Sequence, residues 1–189
     1  MRTIMNFRFL SSRLRQIRTQ WTNFPHIMSM NLKQRRGWKK IIILIATGFG
    51  LGYSPVASGT AGTIPGILIS IGLSSCGLIP QIMIAALLVL LAVPICDVAE
   101  KHFGTKDDHR IVADEFLTFP ICMIGLPPTV WVISMAFLTN RLMDISKPPP
   151  ARKIQAWPGG IGIVADDVIS SFYSLVANHL IYMCAMYWL

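Results

Sequence analysis

Three long stretches of this chain carry no Lys, Arg, Asp or Glu: Ile41–Cys96, Phe116–Asn140 and Val168–Leu189. Each exceeds the roughly 20 residues that an α-helix needs to cross a bilayer. With 53% hydrophobic and only 14% charged residues, the chain is too apolar for an ordinary soluble domain. The expected fold is all-α: a single compact antiparallel bundle of apolar helices and helical hairpins, embedded in a membrane. A soluble helical domain with a greasy core is the rival.

The charges that do occur are unevenly placed. All nine acidic residues lie between Asp97 and Asp167, whereas ten of the 17 basic residues lie in the first 40 positions. A carboxylate beside apolar segments costs free energy unless it is solvated, paired or bound to a cation. Acids concentrated in a few short stretches therefore point to a charged site.

The basic flank ahead of the first apolar run favours a cytoplasmic N-terminus and attraction to anionic headgroups. Nucleic acid is not an expected partner, because no groove-reading motif accompanies the flank. Residues 1–37 read as a basic, disordered tail and residues 38–189 as the helical membrane domain. The tail also has the composition of an organelle transit peptide. A translation start at Met28 or Met30 would fit as well. Cys76, Cys96, Cys122 and Cys184 stand singly, so buried free thiols are expected rather than a disulfide framework or a zinc site.

Along the chain, Gly59–Thr63 reads as a loop entering a helix near Pro65. Ile64–Ser75 and Ile79–Cys96 read as two apolar helices, and a last helix runs from about Ala165 to Tyr187. Phe116–Asn140 is long enough for one crossing, but Gly125-Leu126-Pro127-Pro128 sits at its centre, where proline breaks a helix. A helical hairpin fits better. It returns Asp114–Glu115 and Arg141–Asp144 to the same side, whereas a single crossing would separate them.

Four constellations carry chemistry. Gly59-Thr60-Ala61-Gly62-Thr63 offers small residues and hydroxyls to a phosphate, although such a run is often only a turn. Asp114 and Glu115 stand immediately before an uncharged run, as a metal-binding pair or a solvated cap. Arg141, Asp144 and Lys147 recur at intervals of three, as a surface ion pair or as phosphate and metal ligands. Gly159-Gly160-Ile161-Gly162 leads to Asp166-Asp167 at a helix start, where one acid would complement the macrodipole but two exceed what a cap requires. Asp114, Glu115, Asp144, Asp166 and Asp167 make five acids against two nearby cations, an excess that divalent metal would neutralise.

Together these stretches resemble the phosphatidylglycerophosphatase A family of membrane lipid phosphatases. The matching residues are Thr47-Gly48-Phe49-Gly50 with Ser54-Pro55 and Gly59-Thr60; Asp107 with Ile111–Glu115; Arg141 and Asp144 with Lys147-Pro148 and Pro150; and Gly159–Gly162 with Asp166-Asp167. They follow the family's order from Thr47 to Asp167. Four departures accompany them: Ser58 for the usual Pro, Thr118 for Gly, Asn140 for Phe, and Ser170-Ser171 for Ala-Gly. None removes a charged position.

The resemblance implies Mg²⁺-dependent hydrolysis of phosphatidylglycerophosphate to phosphatidylglycerol and phosphate in a bacterial inner membrane. Asp114, Glu115, Asp144, Asp166 and Asp167 are then the expected metal-binding and catalytic set for attack of water on a phosphomonoester. Arg141, Lys147, Gly59, Thr60 and Thr63 are the expected substrate-binding residues, with Asp107 fixing a loop. Asp97, Glu100 and Asp108 read as ordinary solvated charges. Two rivals stand: a cation transporter whose acids line an ion path, and a related phosphatase acting on another phosphomonoester. The sequence leaves the oligomeric state open.

Overall fold

A computed structural model describes residues 37–55 and 57–188. The chain divides into two compact units, Met1–Ile41 and Ile42–Leu189, of which the second carries the motifs above. The basic tail lies outside the described residues, apart from Gly37, which is helical.

Among the described residues of the larger unit every regular element is helical. Residues 42–46 are helical (α1) and lead into a 3-10 segment, Gly48–Tyr53. Then follow α2 (Ser58–Leu73), α3 (Leu78–Phe103), the short α4 (Ala113–Thr118) with a 3-10 turn at Phe119–Met123, α5 (Val130–Ser146), α6 (Ala151–Ile154) and α7 (Gly159–Trp188). The α3 and α7 helices are long and apolar enough to cross a membrane.

The run Phe116–Asn140 breaks where expected, at Gly125–Pro128. Its two arms differ from the expected pair of helices, however. The first is α4 and the 3-10 turn, and its residues from Phe116 to Met123 are all buried. It packs among α2, α3 and α7. The physical reason is that Phe116, Leu117, Phe119, Ile121 and Met123 bury their apolar side chains among these helices. The second arm, α5, is a regular helix along α7.

Polar side chains fasten this hairpin. Gln81 on α3 accepts the Gly125 N–H at 2.8 Å and donates to the Cys76 carbonyl at 2.9 Å. Fully buried Asn178 on α7 donates to the Cys122 carbonyl at 3.0 Å and accepts the Thr139 hydroxyl at 2.7 Å. An unmatched buried amide or carbonyl costs about 1–3 kcal/mol, so these bonds fix how deep the arm sits.

Both glycine-rich motifs are helical where loops were expected. Gly59–Thr63 forms the first turn of α2, following Ala57 in the left-handed region (φ 50°). Gly159–Gly162 forms the first turn of α7, which puts Asp166 and Asp167 in its third turn rather than at its head. Macrodipole complementarity therefore does not account for them. The cause is close packing: a Cβ on Gly160 would collide with the Val93 carbonyl of α3. Of the four free cysteines, Cys96 and Cys122 are buried as expected, whereas Cys76 and Cys184 are exposed.

Candidate active site

Residues from five separate stretches converge on one cavity of about 330 Å³. Asp107, His109 and Ile111 enter from the loop after α3, Asp114 and Glu115 from α4, Asp144, Ile145 and Lys147 from the end of α5, and Asp166 and Asp167 from α7. Ser58 at the start of α2 completes the wall. All five acids expected at the site thus face the same space, which the hairpin makes possible.

Within the cavity one group is tighter than the rest. Asp144, Asp166 and Asp167 each offer an oxygen within 4.8 Å of the others, close enough to share one cation. Asp114 and Glu115 line the same cavity outside that triad. Lys147 leaves α5 in the left-handed region (φ 44°), which turns its Nζ toward Asp166 Oδ2 at 2.7 Å.

The charge balance is unfavourable to the bare protein. Burial first, and then the Glu115 charge, holds the Asp114 carboxyl well above the usual carboxylate range. Burial raises Glu115 to about 7, with Asp144 adding to the shift and Arg141 opposing it. Among the described residues, buried Asp114 Oδ1, Glu115 Oε2 and Asp167 Oδ2 have no hydrogen-bond partner. An unmatched buried charged group costs more than the roughly 1–3 kcal/mol of a neutral one. An oxygen-rich, acid-excess site with orphaned oxygens fits a hard divalent cation.

The expected substrate-binding residues separate. Lys147 lines the cavity. Arg141 lies behind its wall, with Nη1 3.5 Å from Glu115 Oε1 and 3.4 Å from Asp144 Oδ2. Gly59 adjoins this pair, since a Cβ there would collide with Glu115 Oε1 and stand 2.9 Å from Arg141 Nη1. Thr63 is fully buried and spends its hydroxyl on the Gly59 carbonyl, and Thr60 faces an apolar groove instead. The glycine in this motif is therefore explained by room for the Arg141–Glu115 pair.

Two loop acids are also defined. Asp107 (φ 52°) lines the cavity and accepts a hydrogen bond from Gln155 Nε2 at 2.7 Å. Asp108, expected to be solvated, is buried. It accepts two bonds from the Arg110 guanidinium at 2.7 Å and one from Thr105 at 2.6 Å, which hold its carboxyl below the usual range. Arg110 also covers the Phe103 ring at 4.1 Å, so this cluster shapes the loop that carries Asp107 and His109. His109 and Ser58 are cavity residues that the sequence reading did not place in the site; Ser58 was named only as a departure from the family pattern.

Among the described residues the fold is all-helical, and it defines a class of helical protein with a carboxylate-rich pocket that also holds a lysine. Comparison with known proteins makes this specific. The family model for phosphatidylglycerophosphatase A matches residues 44–182, and the chain belongs to that family. It is accordingly a phosphatase, a phosphoric monoester hydrolase. Phosphatidylglycerophosphatase A of Haemophilus influenzae is 34% identical over 151 residues, covering 78% of this chain and 90% of that protein. The Escherichia coli protein of the same name is 27% identical over 164 residues, covering 86% and 91%. A Bacteroides thetaiotaomicron protein provisionally named a phosphatidylinositol-3-phosphatase is 35% identical over 144 residues, covering 71% and 89%. No solved structure matches the chain. The membership decides for an enzyme and against a non-catalytic transporter.

Proposed function

We propose that this protein is a magnesium-dependent phosphatidylglycerophosphatase of the bacterial inner membrane. It hydrolyses phosphatidylglycerophosphate to phosphatidylglycerol and inorganic phosphate in phospholipid biosynthesis. The observation that carries this reading is the single cavity in which Asp114, Glu115, Asp144, Asp166 and Asp167 meet Lys147.

Asp144, Asp166 and Asp167 would hold the cation, and Asp114 and Glu115 would complete the charge of the site. Magnesium, when bound, neutralises phosphate oxygens and acidifies the attacking water. The chain does the rest. Lys147 supplies a point charge for the transferring phosphoryl group. Arg141 fixes the positions of Glu115 and Asp144. Glu115, raised to about 7, can exchange a proton near neutral pH.

Membrane embedding is supported by the apolar outer surface. Only 22% of the most apolar window of α3 is buried, and Ile79, Met83, Leu87 and Leu90 on it are exposed. Val176, Leu180 and Met183 continue such a surface on α7. The two long apolar helices support a multi-pass arrangement, and the basic flank before α1 supports a cytoplasmic N-terminus.

The test is phosphate release by the purified protein in detergent micelles, with Mg²⁺ and with chelator. Phosphatidylglycerophosphate should be hydrolysed only with the metal. A second reading, hydrolysis of a phosphoinositide monoester, is favoured by the name of the Bacteroides relative. Phosphatidylinositol 3-phosphate therefore belongs in the same assay. Phosphate from that lipid alone would move the assignment, and phosphate from neither would end it.

A further inference from the structure

An apolar groove of about 730 Å³ runs between α2 and α5. Its walls are Ala57, Thr60, Ala61, Ile64 and Ile67 on one side, and Ile133, Ser134, Phe137 and Leu138 on the other. The groove meets the acidic cavity at the start of α2, where Ala57 lines the groove and the next residue, Ser58, lines the cavity. The α5 wall does the same. Residues 134, 138, 141 and 145 follow helical spacing on one face, so Arg141 and cavity-lining Ile145 extend the stripe that Ser134 and Leu138 begin. Leu138 of the groove and Ile145 of the cavity stand about 10 Å apart along this face, at 1.5 Å per residue.

We infer that this groove binds an acyl chain of the lipid substrate while the terminal phosphate occupies the acidic cavity. The inference rests on the lipid phosphatase reading above and adds a specificity site to it. A lipid phosphomonoester joins a polyanionic end to apolar chains, and this surface presents an acid-lined, cation-ready pocket opening onto an apolar trough. A second trough, over Met143, Ile169 and Phe172, lies between α5 and α7 and neighbours the cavity at Met143–Asp144, without the Ser58 and Ile145 continuity of the first. Met143 is two residues from Arg141, about 200° around α5 and hence on its far side. The chosen groove also contains little that a polar ligand would use, with Thr60 and Ser134 its only hydroxyl side chains.

The experiment measures kcat/KM of the full-length protein in micelles for dipalmitoyl and dihexanoyl phosphatidylglycerophosphate. The wild type should prefer the longer lipid. Ser134→Phe fills the groove from an exposed position, and Leu138→Ser makes its wall polar. In each, the dipalmitoyl-to-dihexanoyl ratio should fall roughly tenfold, the equivalent of about two buried methylenes. Two variants of opposite character guard against a single misfolded one. A wild-type ratio near one, or ratios unchanged in both variants, overturns the inference while leaving the phosphatase reading intact. Unchanged ratios with a shift from dimer to monomer in light scattering would assign the groove to a second copy and also overturn it. Absence of phosphate release from either lipid by the wild type sinks both readings.

Discussion

Arg141 Nη1 stands 3.5 Å from Glu115 Oε1, and the two residues belong to opposite arms of the broken run Phe116–Asn140 and its flanks. The same nitrogen lies 3.4 Å from Asp144 Oδ2. One guanidinium thus ties α4 to α5 and orients two acids of the cavity. Both contacts run through Nη1 at the far end of the guanidinium, and the more strongly hydrated lysine ammonium reaches that buried point less readily. Arg141→Lys should lower kcat roughly a hundredfold and shift the magnesium activation curve to higher concentration. The check is a kcat-against-KM comparison, because a purely structural role would instead lower the amount of folded protein.

Gly59 leaves the space this pair occupies. Gly59→Ala places a methyl against Glu115 Oε1 and Arg141 Nη1, both ends of side chains that can move aside. Alanine is also the better helix former, by up to about 1 kcal/mol. Activity should therefore fall by at least tenfold while Tm stays level or rises, as read by phosphate release and thermal unfolding of one preparation. A falling Tm would mean that the backbone, not the ion pair, had been disturbed.

How far the sequence reached can be judged from these same residues. Gly125–Pro128 announces the hairpin because proline chemistry is local, and the acids announce themselves because charge is conspicuous in an apolar chain. Gly59–Thr63 and Gly159–Gly162 looked like loops because glycine is read locally as flexibility. Their actual role is to let helices approach Glu115 and Val93, a tertiary requirement that no local pattern carries. The burial of Asp108 was hidden for the same reason, as its partners Thr105 and Arg110 define a loop rather than a periodic element.

Asp167 lies beside Asp144 and Asp166 with one oxygen unpartnered among the described residues, so three acids crowd a site in which Lys147 pairs with Asp166. Asp167→Asn should remove most magnesium-dependent activity. In chelator, however, it should stabilise the protein, by about 1–2 kcal/mol, because like charges in a poorly solvated site repel. Thermal unfolding with and without Mg²⁺ separates the two effects. The wild type should gain Tm on adding the metal and the variant should not. A variant less stable than the wild type in chelator would refute the crowding argument.

Proton release gives a further handle. Glu115 is raised to about 7 by burial, so below that pH its carboxyl is mostly protonated, while a cation nearby favours the ionised form. The Glu115 contribution to the apparent affinity for Mg²⁺ should therefore climb as pH rises toward 7 and level off above it, by up to about tenfold per pH unit for one released proton. Calorimetric titration in buffers of different ionisation enthalpy counts that proton. Glu115→Gln should flatten the climb.

Two departures from the family's usual residues meet in the folded chain. Ser171, where the family commonly has glycine, donates to Asn140 Oδ1 at 3.3 Å, where the family commonly has phenylalanine, and both side chains are buried. Each polar group therefore satisfies part of the other. Ser171→Gly alone leaves the Asn140 carbonyl oxygen without this donor, at a cost of about 1–2 kcal/mol. Asn140→Phe alone adds bulk against a fully buried serine and should cost about 1–3 kcal/mol. Combined, the glycine makes room for the ring, so the double variant should be more stable than the sum of the single losses predicts, by about 1 kcal/mol or more. A double-mutant cycle on Tm or denaturant unfolding measures this coupling. Additive losses would mean that the two positions arose independently and that the 3.3 Å contact does no energetic work.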